Sequence, residues 1–234
     1  MTPSPPGLPR KLLGWALDYG YMTYWTMRGL LPGRAPEDYL HPPPPDVRSP
    51  VLLIPGVFET WRFMQPVAAH LFRAGHPVHV LAGLGYNTGS IADMALVVRD
   101  YLEEQNLRDV AIVAHSKGGL IGKQALLDDA TRERVRRLVA VNSPYAGSRY
   151  AALFLLPTVR MFAPRGQVIT DLQRQQAVNA TITSLYSVFD PHIPETSWLG
   201  GAENVVLRTI GHFRPVGSAE TLGIIDDVLR RVAR

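Results

Sequence analysis

Residues 110–122 read VAIVAHSKGGLIG and decide the fold class of this 234-residue chain. Residues 110–114 form a continuous apolar run, which is typical of a strand buried on both faces of a parallel sheet. Residues 118–127 follow with the spacing of a helix. Ser116 therefore lies in a sharp turn between a strand and a helix, with the small residues Ala114 and Gly118 two positions to either side.

The same alternation of apolar runs and helical periods extends in both directions from this stretch. Apolar runs predict further strands at residues 51–54, 78–81, 138–141, 182–187 and 205–209, and helical spacing recurs at residues 91–102 and 222–232. Repeated strand–helix units favour a parallel sheet with right-handed crossovers and helices on both faces. We therefore predict an α/β fold with a mostly parallel six-stranded sheet and a small apolar cap inserted at about residues 145–179.

The composition excludes several classes of protein. Hydrophobic residues make up 46% and charged residues 19%, which excludes a disordered or fibrous chain. The absence of cysteine excludes disulfide scaffolds, zinc–thiolate sites and cysteine nucleophiles. The 24 basic residues barely exceed the 20 acidic ones and are mostly scattered, so we expect no nucleic-acid partner. The one tight basic cluster is predicted to be a solvated connection; it comprises Arg132, Arg134, Arg136 and Arg137.

The first 46 residues differ from the rest of the chain. Four prolines among the first nine residues predict a disordered tail, and residues 41–45 predict a polyproline linker. Residues 12–31 are apolar and aromatic, but Asp18 and Arg28 leave the run too short to span a membrane. We favour a helix packed on the domain, with peripheral contact to a membrane or lipid interface as the alternative. The expected location is cytoplasmic or membrane-associated, and residues 47–234 are the predicted catalytic domain.

Three residues that follow predicted strands have the chemistry of a catalytic relay. In parallel sheets, functional residues lie beyond the carboxyl ends of the strands. A serine nucleophile needs a base, and the base needs an orienting group. Ser116, Asp190 and His212 follow successive strands in the order expected for a hydrolase on such a sheet. Each residue alone has an ordinary structural explanation, since a serine in this position often only caps a helix.

Other titratable residues are weaker candidates for these roles. His192 is an alternative base, but it lies only two residues from Asp190. Asp171 and Glu195 are alternative carboxylates, although neither directly follows a strand. His76 and His79 flank a strand without a third ligand nearby, so we predict no metal site and no organic cofactor.

Four segments resemble the α/β-hydrolase superfamily, and in particular its small bacterial lipases and esterases: LLIPGV, AHSKGG, YSVFDPHIP and TIGHF. A fifth segment, NSPYAGS, is similar to the small-residue turn after the next strand of many lipases. The resemblance extends from Val51 to the C-terminus. It implies that Ser116 is the nucleophile, His212 the general base and Asp190 the orienting carboxylate.

The resemblance also implies an oxyanion hole made by backbone N–H groups. Lys117 would supply one N–H group and Val57 the other. Small lipases usually carry His-Gly where this chain has Pro55-Gly56, so Phe58 remains an alternative to Val57 as the second donor.

The implied reaction is hydrolysis of a carboxylic ester through an acyl-enzyme. The apolar residues between Tyr145 and Asn179 favour lipid-like acyl esters, although a helix that only seals the core would explain them equally well. An acyltransferase, a thioesterase or a lactonase would use the same three residues. A non-catalytic hydrolase fold that binds lipid is the alternative from a different class of protein.

Overall fold

The computed structural model describes residues 6–43 and 47–232. The strands in these residues are β1 (Val51–Ile54), β2 (Val78–Val80), β3 (Val110–His115), β4 (Val135–Val141), β5 (Ile182–Ser187) and β6 (Glu203–Leu207). The α-helices are α1 (Leu8–Leu30), α2 (Gln65–Arg73), α3 (Ile91–Glu104), α4 (Lys117–Ala125), α5 (Asp129–Arg134), α6 (Pro157–Arg160), α7 (Gln167–Arg174) and α8 (Ala219–Val232).

The six strands form one sheet in the order β2-β1-β3-β4-β5-β6, and every neighbouring pair is parallel. The predicted six-stranded parallel sheet is therefore confirmed. The chain runs from β1 outward to β2 and then returns to β3 on the other side of β1, so the strand order reverses between β1 and β3. Ligands of open α/β sheets bind beyond the carboxyl ends of the strands at such a reversal. Residues 55–58 and Ser116 both lie there.

The central strands are buried on both faces, as their continuous apolar runs predict. Leu52, Ile54 and Ile112 point into one core, where they meet residues of α3 and α4 such as Val98 and Leu120. The intervening side chains point into a second core that α2 and α8 cover; it includes Val51, Leu53, Val113, Val67 and Ile225. The two cores hold the sheet between helical layers and fix the strand ends that carry the site.

The prediction of a solvated connection at the arginine cluster is wrong for two of its members. Strand β4 begins at Val135, so Arg136 and Arg137 belong to the sheet. Arg136 forms an ion pair with Asp109, and Arg137 donates to the carbonyl oxygen of Ala180. Two adjacent arginines near the start of the strand resemble a loop in the sequence, because the continuous apolar run of β4 begins only at Leu138.

The N-terminal apolar segment is a 23-residue helix that packs on the domain. Helix α1 begins at Leu8, so the predicted tail is wrong for Leu8 and Pro9; residues 1–5 lie outside the described part of the chain. Gly14 and Asp18 are its buried residues. Of the predicted linker, Pro44 and Pro45 also lie outside the described residues. Across the ranges 6–43 and 47–232, no helix combines the length and the apolar character needed to cross a membrane.

The segment between β4 and β5 has two kinds of structure. A 3₁₀ turn at Arg149–Leu153 and the short helix α6 lie next to the carboxyl end of the sheet, while Ile169 and Leu172 of α7 are buried in the core. Leu153 and Leu155 are 79% and 91% exposed. The segment thus seals the core with α7 and exposes apolar side chains before α6.

Candidate active site

Ser116 sits in a strained backbone conformation directly between β3 and α4. Its φ and ψ are 50° and −119°, a left-handed region that non-glycine residues rarely adopt. The following glycines allow the turn: a Cβ at Gly118 would lie 2.2 Å from the carbonyl oxygen of Ile54, and one at Gly119 would lie 2.0 Å from Ser143 Oγ. The helix can therefore approach β1 closely. Strain of this kind is found at functional sites that the surrounding fold stabilises.

The structure brings Ser116, His212 and Asp190 into one hydrogen-bonded chain. His212 Nε2 lies 3.0 Å from Ser116 Oγ, and His212 Nδ1 lies 2.8 Å from Asp190 Oδ2. Both distances are within hydrogen-bond reach. The second carboxylate oxygen of Asp190 accepts the backbone N–H groups of His192 and Ile193 at 2.7 and 3.1 Å, which fixes its orientation.

Electrostatics favour a proton on His212. Burial acts to lower the pKa of this imidazole, but the charge and hydrogen bond of Asp190, with the charges of Glu59 and Asp18, raise the pKa above its ordinary value. An imidazole in this setting is a stronger base than an exposed histidine.

His192, the alternative base, lies beside His212 but faces another group. Its ring is 4.9 Å from the ring of His212, and its Nε2 is 3.1 Å from Tyr19 Oη of α1. Burial, followed by the charge of His212, lowers the pKa of His192 to about 4. A histidine with that pKa is neutral and weakly basic, so its surroundings suit it less well than His212 to take a proton from a serine.

The remaining alternatives lie apart from the relay. Glu195 pairs with Arg149, and Asp171 pairs with Arg174 on the surface of α7. His76 contacts the carbonyl oxygen of Ser49, while His79 contacts Tyr101. In the part of the chain that the structure describes, no three side chains are grouped as metal ligands.

The backbone N–H groups of the predicted oxyanion donors differ in whether they are already hydrogen-bonded. Lys117 is the first residue of α4, so its N–H has no acceptor inside the helix. The N–H of Phe58 is already bonded to the carbonyl oxygen of Tyr86 at 2.8 Å. The N–H of Val57, by contrast, has no acceptor among the described residues. Val57 is therefore better placed than Phe58 to bind a ligand oxygen.

A second layer of polar groups, which the sequence did not reveal, holds the backbone of His212. The side chain of His115 is fully buried and donates from Nε2 to the carbonyl oxygen of His212 at 3.0 Å. His115 Nδ1 lies 2.9 Å from Glu59 Oε2, and the same oxygen accepts the N–H of Gly56. Asn142 Nδ2 donates to the same His212 carbonyl at 2.9 Å.

An apolar cavity of about 670 Å³ opens onto Ser116 and His212. Its walls include Met22 and Thr26 of α1, Val57 and Phe58 after β1, residues 191–193 and 212–213 after β5 and β6, and apolar residues between β4 and α7 such as Leu153, Phe154, Val159 and Phe162. The volume is typical of pockets that bind small organic ligands. Helix α1 therefore forms one wall of the candidate active site.

The model of the alpha/beta hydrolase fold family matches residues 49–177, which is more than half of the chain. The chain belongs to the α/β-hydrolase fold family. This α/β-hydrolase resembles solved lipases and esterases, as its sequence motifs predict. A search of curated proteins found no match.

Three solved structures illustrate the likeness. The mature lipase BlEst2 of Bacillus licheniformis is 16% identical, with a TM-score of 0.65 over 81% of this chain and 94% of that one. A carboxylesterase of the thaumarchaeon Nitrososphaera gargenis is 15% identical, with a TM-score of 0.61 over 79% and 91%. Lipase B of Aspergillus fumigatus is 20% identical, with a TM-score of 0.56 over 77% and 49%. At these identities the likeness shows the shared fold, and together with the family it supports a hydrolase.

Proposed function

We propose that this α/β-hydrolase is a serine hydrolase that cleaves carboxylic esters with lipid-like acyl groups. The observation that carries the proposal is the hydrogen-bonded chain from Ser116 Oγ through His212 to Asp190 at the floor of an apolar cavity. A serine that only caps a helix does not require a hydrogen bond to an imidazole that is itself bonded to a buried carboxylate.

The reaction proceeds in two acyl-transfer steps. His212 Nε2 takes the proton of Ser116 as Oγ forms a bond to the ester carbonyl carbon, and the oxyanion accepts the N–H groups of Val57 and Lys117. The carbon–oxygen bond to the alcohol then breaks, and His212 gives its proton to the leaving oxygen. Water gives a proton to His212 and attacks the acyl carbon. The bond from that carbon to Ser116 Oγ then breaks, the acid leaves, and His212 returns the proton to Oγ. Asp190 keeps the imidazole in the tautomer that can accept the serine proton.

The walls of the cavity support an acyl chain as the group that binds beside Ser116. They are formed largely by aliphatic and aromatic side chains, and the mouth carries the exposed side chains of Leu153 and Phe154. An apolar acyl chain gains roughly 0.8 kcal/mol for each CH₂ group that leaves water for such a surface. The enzyme should therefore favour medium or long acyl chains over acetate.

Hydrolysis of a series of p-nitrophenyl esters tests the proposal. We expect turnover by the wild type that rises with acyl chain length, and a loss on the order of 10⁴-fold or more in Ser116→Ala. Ser90→Ala is the matched control, since Ser90 caps α3 and its hydroxyl contacts Asp93. A folded wild-type protein that hydrolyses none of these esters would contradict ester hydrolysis as the function.

The same relay would serve an acyltransferase, a thioesterase or a lactonase, and substrate competition separates these activities. Acyl-CoA thioesters, lactones and an added alcohol acceptor are offered beside the preferred p-nitrophenyl ester. The proposal expects the ester to have the highest kcat/KM and water to be the main acceptor. Preferential use of a thioester, of a lactone or of the added alcohol would assign the corresponding alternative.

We also propose peripheral contact between α1 and a lipid surface. The solvent face of α1 carries exposed apolar side chains, among them Leu12 at 54% and Trp15 at 47%, and the cavity is lined in part by Leu153, which is 79% exposed. Co-sedimentation with phosphatidylcholine vesicles should weaken in Leu12→Glu. Equal recovery of the wild type and the variant in the vesicle-free supernatant would contradict this contact.

A further inference from the structure

Asp18 is a buried carboxylate on the apolar helix α1, and it binds the backbone of the candidate base. Its side chain has no exposed surface. Oδ2 accepts the N–H of His212 at 2.9 Å, while Oδ1 accepts the N–H groups of Phe213 and Arg214 at 2.8 and 2.7 Å. Burying an ionisable group in this way is costly unless its hydrogen bonds are made. All three donors belong to the loop that carries His212, so the contact joins α1 to the relay.

Two glycines let the helix and the loop approach closely enough for this contact. A Cβ at Gly211, where φ is 119°, would lie 2.2 Å from Asp18 Oδ1. A Cβ at Gly14, one turn earlier on α1, would lie 2.5 Å from Cγ2 of Ile210. Neither position can carry a larger residue without moving α1 away from the loop. The backbone on both sides of the interface therefore depends on small residues.

The opposite edge of the His212 peptide backbone is held by the sheet side of the site. His115 and Asn142 both donate to the carbonyl oxygen of His212, at 3.0 and 2.9 Å. Asp18 supplies the matching acceptor for the N–H of the same residue. His212 is thus held at its N–H by the N-terminal helix and at its carbonyl by groups from β3 and the loop after β4.

We infer that Asp18 is a positioning residue for the relay and that α1 is an integral part of the active site, because Asp18 fixes the backbone of His212 against Ser116. This inference rests on the proposed function. The isosteric change Asp18→Asn keeps the volume and one acceptor oxygen. The NH₂ group that replaces the other oxygen cannot accept a hydrogen bond, so at least one of the three N–H groups loses its acceptor. The loop must then shift, and a displacement near 1 Å at a reacting group costs about 10²-fold in rate.

The charge of Asp18 gives this role a signature that simple packing would lack. The negative charges of Asp190, Glu59 and Asp18 all raise the pKa of His212. Burial raises the pKa of Asp18 itself, and the three N–H donors and the charge of His212 oppose that rise. Removing the charge in Asp18→Asn lowers the pKa of His212, so the base stays unprotonated to a lower pH. The other titratable or charged groups around Asp18 and His212 are Asp190, Glu59, His115, His192, Tyr21 and Arg214.

The test compares Asp18→Asn with Glu220→Gln. Glu220 accepts the N–H groups of Arg208 and Thr209 earlier in the same loop, so it controls for the general loss of a loop-binding carboxylate. For p-nitrophenyl ester hydrolysis we expect kcat to fall about 10²-fold in Asp18→Asn with KM near the wild-type value, since the lost interaction orients the base. The acid limb of the pH profile should move to lower pH. Glu220→Gln should keep both kcat and the acid limb.

An NMR titration of the His212 imidazole completes the test without relying on activity. If the wild type hydrolyses no ester, the proposed function is wrong. A lower His212 pKa in Asp18→Asn would still support the inference about Asp18 in that case. Wild-type kcat in Asp18→Asn, or an unchanged His212 titration, would overturn the inference that Asp18 positions His212. If Asp18→Asn does not fold, Gly14→Ala replaces it, because the added methyl group lifts α1 from Ile210 while the charge remains. Gly14→Ala must then lower kcat, and a wild-type kcat there would equally overturn the inference.

Discussion

One methyl group added at Gly118 should separate the two halves of the candidate active site. The Cβ of Gly118→Ala would lie 2.2 Å from the carbonyl oxygen of Ile54 and 2.9 Å from that of Pro55. Ordinary contact begins at 3.4 Å, so α4 and the end of β1 must move apart by about 1 Å. Both obstacles are backbone atoms, which no change of rotamer can remove.

The displacement affects the proposed oxyanion site because both segments that are pushed apart carry one of its N–H donors. Gly118 follows Lys117, and Pro55 precedes Val57 by two residues. Separating the two N–H groups weakens the binding of a single oxygen between them, and losing one such donor typically costs about 10²–10³-fold in kcat. The overpacking itself should cost about 1–3 kcal/mol of unfolding free energy.

The assay measures kcat on a p-nitrophenyl ester together with unfolding in urea, and Gly122→Ala is the matched control. The Cβ at Gly122 meets the end of the Leu138 side chain at 2.9 Å, and a leucine can rotate away from it. Gly122→Ala should therefore lose some stability and little kcat, whereas Gly118→Ala should lose both. Wild-type kcat in Gly118→Ala, or an equal loss of kcat in the two variants, would show that the spacing of α4 and β1 does not set the geometry of the oxyanion site.

Three further predictions follow from the same geometry. In the wild type, the raised pKa of His212 should place the midpoint of the acid limb of the kcat/KM profile above pH 6.5, because activity falls as the base becomes protonated. A midpoint below that value would contradict the assignment of His212 as the general base. Asp190→Asn should lower kcat by about 10⁴-fold, because the amide favours the wrong tautomer of His212, and steady-state kinetics showing wild-type kcat would argue against this role. Met22→Trp should fill part of the cavity wall and shift ester preference toward shorter chains; an unchanged chain-length profile would place the acyl chain elsewhere.

Features that depend on neighbouring residues in the sequence could be predicted, and the turn at Ser116 is the clearest example. A buried strand, a serine and small residues two positions away occupy one continuous stretch, so the strand-to-helix turn is visible in the sequence. Asp190 and His212 could be found because parallel strands place their carboxyl ends at one edge of the sheet. The structure then supplied the distances that the strand order alone leaves open.

Asp18 shows what the sequence alone could not provide. The sequence displays a single acidic residue within an apolar, aromatic segment, which indicates only that the segment is a poor membrane span. Its partners are backbone N–H groups at the far end of the chain, and a backbone N–H group has no sequence signature. Glu59 was missed for a similar reason, because its contact to His115 depends on the pairing of β1 with β3.

Covalent labelling with a fluorophosphonate probe is the direct test of whether Ser116 is a nucleophile, because the probe reacts only with a serine that its surroundings have activated. We expect one adduct on the folded wild-type protein, located by peptide mass spectrometry at Ser116. Labelling should disappear in Ser116→Ala and slow sharply in His212→Ala. If the folded wild-type protein acquires no adduct, or acquires one at another serine, Ser116 is not the nucleophile.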